Sequence, residues 1–436
     1  MQPYELKQQV CAAIDDHREQ IISLGEDIFR HPELGYKEKR TASLVVQTMQ
    51  QLGVDFRSGL ALTGVKGRLS GRQTHATVGV MGELDAVICR DHPAADPETG
   101  AAHCCGHHAQ VASMLGVGFG LVHSGAMEWL DGDVVLFAVP AEEYVELEFR
   151  QRLQQAGSIE FLGGKQELIR LGEFDDVDMT MMCHIESDRP GPLFVVGSTA
   201  AGFVGKRIRY LGTEAHAGGA PHQGVNALNA ALLGIMGSHL QRETFRDDDH
   251  IRLHPIITKG GDLVNIVPAD VRLETYVRGR TIDAILDASS KVNRALRAGA
   301  AAVGATVEIE EIPGYLPMQG DVNLEAVFAE NAAALVGAER VLKGGFTAVS
   351  GDNGDLQQLM PSIIPGCGGV SGHAHTRGFA IADPEAAYIM PAKVMAMTII
   401  DLLHDGAHLA LTIKDKFQPR FDKAGYLNFW RQYLAE

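Results

Sequence analysis

Three apolar runs, each ending in polar side chains, constrain this chain most: "ATVGVMGELDA" at 76–86, "DVVLFAVPAEE" at 133–143 and "VDMTMMCHIESD" at 177–188. Runs that are apolar without alternation read as strands buried on both faces, which is how strands of a parallel sheet look. Between them lie helical stretches, such as His108–His123 with small residues on one face. Strand and helix in alternation imply an α/β domain with a largely parallel sheet. In such sheets functional groups collect beyond the carboxyl ends of the strands, and Glu83, Asp85, Glu142, Glu143 and His184 fall there. The first ~50 residues read as helix, with Ile21, Ile22, Leu24, Ile28 and Phe29 at helical spacing until "HPELGY" breaks the pattern.

A different rhythm starts near residue 199. "FVGKRIRYLG" reads as strand, "NALNAALLGIMGSHLQRE" as helix, "HIRLHPIITKGG" and "DVRLETYVRG" as strands, "IDAILDASSKVNRALRAGAAAVG" as helix and "ATVEIEEI" as strand. The order β-α-β-β-α-β is that of a ferredoxin-like fold. The expected division is one α/β domain over 1–198 and 312–436, with the second domain at 199–311 inserted in it. The last helices are expected around Ala392–Leu403 and Tyr426–Tyr433.

A chain of 436 residues accommodates two domains of ordinary size. Its net charge of −17 makes nucleic acid and anionic membranes poor partners, since both are polyanions. The N-terminus lacks the basic start and apolar core of a signal peptide, and no 18-residue apolar run predicts a membrane span. The six cysteines are scattered, which suits a reducing, cytoplasmic setting without a disulfide framework.

One stretch concentrates chemistry: "HCCGHHAQ", His103–Gln110. A bridge between Cys104 and Cys105 is strained, because adjacent Cα atoms lie near 3.8 Å and disulfides prefer roughly 4.4–6.8 Å. Cys105 and His107 flank one glycine, so a tight turn lets thiolate and imidazole reach one metal ion; taken alone, a Cys-Gly-His triplet is more often plain loop. Glu142 and Glu143 end a buried strand, where one carboxylate suits a metal and its neighbour general base work. His184 emerges from another buried strand beside Cys183, which reads as packing. "SGHAHTRGF" offers His373 and His375, one to complete the set and one as loop. Glu83 and Asp85, two apart at a strand end, suit carboxylates that orient a histidine ligand. "SGDNGDL" resembles a calcium loop but lacks its twelfth-position glutamate, so it reads as a tight turn. In the second domain His216 lies in a glycine-rich loop, Asn265 in "GGDLVNIVPADV", and Arg278 at a strand end. These three suit substrate binding, though each alone is more often a loop histidine, a capping asparagine or a surface arginine.

The order of these motifs is more telling than any one of them. "HPELGYKE", "GELDA", "CCGHH", "VPAEE", "CHI", "GTEAHAGGAP", "GGDLVNIVPADV", "SGDNGDL" and "HAHTRGF" together resemble the aminoacylase/carboxypeptidase family of di-metal amidohydrolases, over nearly the whole chain. The likeness is greatest to the branch in which a cysteine replaces the bridging aspartate, with aminobenzoyl-glutamate hydrolase subunits, hippurate-type hydrolases and peptidase-D2-like dipeptidases. It implies a phosphorylase/hydrolase-like metallopeptidase domain with an inserted ferredoxin-like α+β lid and dimerisation domain. It implies two divalent ions, zinc or manganese, with Cys105 bridging and His107, Glu143, His184 and His375 as further ligands; His373 is the alternative last ligand. Glu142 matches the general base, His216 the lid histidine that crosses a dimer interface, Asn265 the lid asparagine and Arg278 the holder of a substrate carboxylate. The implied partners are a small amide with a free carboxylate and a second copy of the chain. The chain departs from the family at His108, Val139 and Glu83, where other residues are usual. Two competing readings are a thiol enzyme using Cys104 or Cys105 with His107 or His108 as base, and a non-catalytic metal- or peptide-binding relative.

Overall fold

The structure is a computed structural model and describes residues 1–191 and 193–433. It separates into two compact units. The first comprises 1–199, 319–345 and 355–423, and the second 200–318, 346–354 and 424–436. The second unit therefore draws on three stretches of chain. The helix Lys423–Arg431, which the sequence reading placed with the α/β part, falls almost wholly within it.

The first unit is built on a six-stranded sheet. Its spatial order is Asp55–Leu60, Gly64–Leu69, Asp133–Val139, Thr77–Glu83, Met179–Met181 and Ser362–Ile363. The expectation of a largely parallel sheet holds for four of the six strands. Asp133–Val139, Thr77–Glu83, Met179–Met181 and Ser362–Ile363 run parallel, while the two outer strands on the other side are an antiparallel hairpin. That hairpin reads poorly in sequence because Asp55–Leu60 is mostly exposed and lacks an apolar run. The N-terminal helical region resolves into Pro3–Asp16, Arg18–Arg30 and Lys39–Gln51.

The helix His107–His123 is buried along almost its whole length and packs on Thr77–Glu83 and on Met390–Leu403. A helix apolar all round, as this one is, belongs in the centre of a large domain. The segment Glu385–Leu403 is long and apolar enough to cross a membrane, contrary to the sequence expectation, and 89% of its apolar window is buried in this core.

The second unit has the ferredoxin-like order. Its sheet runs Arg252–Leu253, Asp270–Gly279, Gly202–Leu211, Thr306–Ile312, with Ile256–Lys259 also paired to Asp270–Gly279. The helices Ala227–Leu240 and Ile282–Val303 pack together and onto this sheet. Both are started by side-chain caps: Asn226 accepts from Leu228 and Asn229, and Thr281 from Ala284.

Candidate metal centre

The parallel part of the first sheet delivers its strand ends to one place. Glu83 is the last residue of its strand and lies opposite Val139. The chain then leaves through Pro140 and Ala141 to Glu142 and Glu143, while His184 follows the neighbouring strand Met179–Met181. The central helix begins beside them. Its N-cap Gly106 has φ 95°, and a Cβ there would lie 2.8 Å from Ile185 Cγ1. Only glycine makes this turn, which sets Cys105 and His107 side by side.

Two donor groups share one atom. Sγ of Cys105 lies within 4.8 Å of a ring nitrogen of His107 and one of His184, and these lie as close to each other. The same sulfur forms a second such group with a carboxylate oxygen of Glu143 and a ring nitrogen of His375. Sγ is 3.5 Å from His184 Nε2, and His375 Nε2 is 3.0 Å from Glu143 Oε1. Glu142 joins a third group with Glu83 and His107, its Oε2 3.9 Å from His107 Nε2.

The surroundings set the histidine tautomers. Nδ1 of His107 is 2.9 Å from the Asp85 carbonyl, and Nδ1 of His184 is 2.9 Å from the Ile185 carbonyl. A carbonyl only accepts, so each Nδ1 carries the hydrogen and each Nε2 offers a lone pair. Asp85 also approaches His107 Nδ1 with Oδ1 at 3.4 Å and accepts the Glu143 N–H at 2.9 Å with Oδ2. Glu83 takes the other side of the ring, with Oε2 3.0 Å from Nε2. Its carboxylate is fixed by Lys165 Nζ at 2.5 Å and Gln110 Nε2 at 2.9 Å.

The electrostatics call for a cation. Burial and the neighbouring Glu143 hold the Cys105 thiol well above its ordinary range. Burial lowers His107, but Glu83 and then Cys105 outweigh it and raise its pKa well above the usual value. The hydrogen bond to Glu143 raises His375, whereas burial lowers His184. Among the described residues, His107 Nε2 and Glu143 Oε1 are buried without a well-directed hydrogen bond, although Glu83 Oε2 lies 3.0 Å from the first and His375 Nε2 3.0 Å from the second. Lone pairs that face one another around a sulfur fit a divalent metal, whose charge inverts these preferences and ionises the thiol. The raised thiol is the opposite of what a free cysteine nucleophile needs.

The sequence candidates separate accordingly. Cys105, His107, Glu143, His184 and His375 converge, with Glu142, Glu83 and Asp85 around them. His373 enters neither donor group among the described residues; its carbonyl accepts the Thr376 hydroxyl at 2.7 Å. Cys104 is fully buried, its thiol pushed up to about 12 by burial and then by Cys89, and its carbonyl accepts the His375 N–H at 2.7 Å. His108 is packed among Phe29, Phe379, Tyr388 and His103. Cys183 is buried packing, as read from the sequence.

Within the second unit, His216 Nδ1 accepts from the N–H groups of Gly218 and Gly219. The Asn265 carbonyl accepts from Ala217 N at 2.8 Å, so the two loops that carry these candidates are laced together. Arg278 lies against Phe203 and Tyr276, and its Nη1 donates to Ser350 Oγ at 2.7 Å. Ser350 opens the "SGDNGDL" turn, and nothing in the sequence pairs it with Arg278.

Four further buried polar residues were not singled out from the sequence: Glu38, Gln110, Arg150 and Lys165. Burial, with Asp85 adding to it, pushes the Glu38 carboxyl up to about 7. Arg150 and Lys165 sit in segments that read as ordinary exposed helix, "LEFRQRLQQ" and "GKQELIRL".

Residues 199–303 match the peptidase dimerisation domain of the M20 family. The Xaa-Arg dipeptidase of Mus musculus is 26% identical, covering 97% of this chain and 94% of that protein. The N-acyl-L-amino acid amidohydrolase of Geobacillus stearothermophilus is 26% identical, covering 72% of this chain and 81% of that protein. The likeness to these two enzymes runs over most of the chain and supports a hydrolase that acts on amides. The fold agrees: a dinuclear metal binding peptidase of the M20 family from Bacillus subtilis superposes with a TM-score of 0.68 at 21% identity, covering 89% of this chain and 99% of that one. The donor groups around Cys105 could hold a divalent metal ion, and residues 199–303 match a dimerisation domain.

Proposed function

We propose that this amidohydrolase cleaves the amide bond of a small N-acyl amino acid or dipeptide with a free carboxylate, holding two divalent ions, zinc or manganese. The observation that carries the reading is the pair of donor groups joined at Cys105 Sγ, with Glu142 beside them. His107 and His184 would hold one ion, Glu143 and His375 the other, and the Cys105 thiolate both. A thiolate with imidazoles suits zinc, and the carboxylate admits manganese. Such ions polarise an amide carbonyl and lower the pKa of water.

The chain's own residues supply the rest. Glu142 takes a proton from the attacking water as the carbon–oxygen bond forms. It returns that proton to the leaving nitrogen as the carbon–nitrogen bond breaks. Asp85 fixes the His107 ring, and Glu83, neutralised by Lys165, lies on its other side. We assign to His216 the stabilisation of the tetrahedral oxygen, to Arg278 a bidentate hold on the substrate carboxylate, and to Asn265 a substrate contact. The names of the two relatives, an Xaa-Arg dipeptidase and an N-acyl-L-amino acid amidohydrolase, support this substrate class.

A homodimer is part of the same reading. Leu232, Leu233, Met236 and Leu240 are exposed along one face of Ala227–Leu240, inside the segment that matches a dimerisation domain. An isologous contact would cover that row.

The test is a screen of N-acyl amino acids, aminobenzoyl-glutamate and dipeptides for released amine, with and without EDTA. Activity is expected to vanish with EDTA and in Glu142→Gln, while Glu142→Gln retains its metal. Full turnover by Glu142→Gln would remove the base assignment, and loss to iodoacetamide but not to EDTA would favour the thiol enzyme.

A further inference from the structure

The peptide that carries Glu142 and Glu143 begins in an uncommon conformation. Ala141 has φ 54°, in the left-handed region that is disfavoured for any residue with a Cβ. Such a geometry persists where the surroundings over-determine it. Here both ends of the residue are held by buried ionisable side chains. Glu38 Oε1 accepts the Ala141 N–H at 2.8 Å, and its Oε2 accepts the Thr63 hydroxyl at 2.7 Å. Arg150 Nη1 donates to the Ala141 carbonyl at 3.3 Å and to the Leu162 carbonyl at 2.8 Å, while Nη2 donates to the Glu143 carbonyl. Glu38 and Arg150 are both 0% exposed.

The motif "HPELGYKE" supplies most of this arrangement. A Cβ on Gly35 would lie 2.4 Å from Arg150 Nη2 and 3.0 Å from Ala141 Cα, so the glycine leaves room for both. The Tyr36 ring stacks on the Arg150 guanidinium at 5.4 Å, and Glu38 closes the motif. We propose that Glu38 and Arg150 are positioning residues: they hold Ala141 left-handed from its N–H and its carbonyl, and so aim Glu142 and Glu143 at different targets. In an uninterrupted strand, neighbouring side chains go to opposite faces and only one of the pair could serve the site. With the turn at Ala141, Glu143 reaches His375 and Glu142 reaches toward His107. This inference rests on the roles proposed above for those two carboxylates.

Glycine adopts positive φ without a Cβ penalty, so Ala141→Gly should release the site from its dependence on the clamp. The experiment is a double-mutant cycle. Glu38→Met keeps volume and removes the acceptor; Glu38→Gln keeps an acceptor. Each is made with and without Ala141→Gly, and kcat and KM are measured on the substrate that the wild-type enzyme turns over. Glu38→Met is expected to lose about a hundredfold in kcat with KM changed by less than about threefold. Glu38→Gln should stay within about fivefold of wild type, since its carbonyl still accepts the Ala141 N–H. In the Ala141→Gly background the Glu38→Met loss should shrink by about tenfold or more. An equal loss in both backgrounds overturns the clamp. If Glu38→Met does not accumulate folded, Arg150→Met replaces it in the same cycle. Zinc and manganese affinity, measured without turnover, gives a second readout: it should fall about tenfold in Glu38→Met and recover with Ala141→Gly. A wild-type protein that binds metal but hydrolyses none of the amides sinks the functional reading alone, and the metal-affinity cycle still decides the clamp.

Discussion

Lys165→Met removes the cation from a buried ion pair. Lys165 Nζ sits 2.5 Å from Glu83 Oε1, and the two residues are 0% and 2% exposed. Methionine nearly matches the lysine stem in volume, so the effect is electrostatic rather than a cavity. Breaking a buried pair from one side costs about 3–5 kcal/mol. With about 2.1 cal/mol/K of unfolding entropy per residue, a unit of about 300 residues shifts by about 1.6 °C per kcal/mol, so the unfolding temperature should drop by about 5–8 °C. Glu83→Gln added to Lys165→Met removes the stranded charge and should recover at least about half of that loss. The pH dependence has a definite sign. Burial raises the Glu83 carboxyl, but Lys165 and then His107 outweigh it, leaving it well below 4.5. A depressed folded pKa stabilises the native state above the ordinary carboxylate range and loses that contribution as pH falls through the folded value. The gap between wild type and Lys165→Met should therefore be widest at neutral pH and narrow in acid. Calorimetry on EDTA-treated protein at neutral and acidic pH measures it free of any metal contribution. An Lys165→Met protein within about 2 °C of wild type at neutral pH, or a double variant no better than the single one, refutes the reasoning.

Three other outcomes follow from the same geometry. Cys105→Ala should lose both ions in elemental analysis, because one sulfur belongs to both donor groups, whereas Cys104→Ala should keep them. Glu38 is raised to about 7, so its stabilisation is complete below the ordinary carboxylate pKa and is lost as pH rises through 7. Glu38→Gln should therefore gain stability relative to wild type at alkaline pH, by about 1–3 kcal/mol, and little or none in mild acid, as denaturant titration would reveal. Met236→Asp puts a charge in the exposed row on Ala227–Leu240 and should give a monomer by light scattering with its thermal transition largely kept.

Much of the site was legible because its residues end strands. A strand buried on both faces announces itself by an unbroken apolar run, and the first polar residue beyond it has few places to go. Glu83, Glu142, Glu143 and His184 were found that way. Cys105 and His107 were found by the single glycine between them. His375 was harder, since it sits at φ 61° in an irregular loop and only its resemblance to the family separated it from His373. Arg150 and Lys165 were illegible for another reason. Their helices carry the usual mixture of charged and apolar residues, and a side chain's burial there depends on which tertiary neighbour covers it. The outer hairpin was lost because half-exposed strands lack a distinctive pattern. The ferredoxin-like part read well because its two helices are long and its strands are separated by clear turns.

The second unit's three separate stretches of chain bear on biosynthesis. Its segments 200–318 and 346–354 leave the ribosome before 424–436, while the first unit still awaits residues up to 423. Neither unit has all its parts until synthesis has passed residue 423. The stretch 199–303 that matches a dimerisation domain ends before Thr306–Ile312, the strand that completes one side of Gly202–Leu211. Made alone, that stretch would present the bare edge of Gly202–Leu211 to any other strand, which invites aggregation. Neither unit of this enzyme is thus expected to complete its fold before residue 423 has left the ribosome.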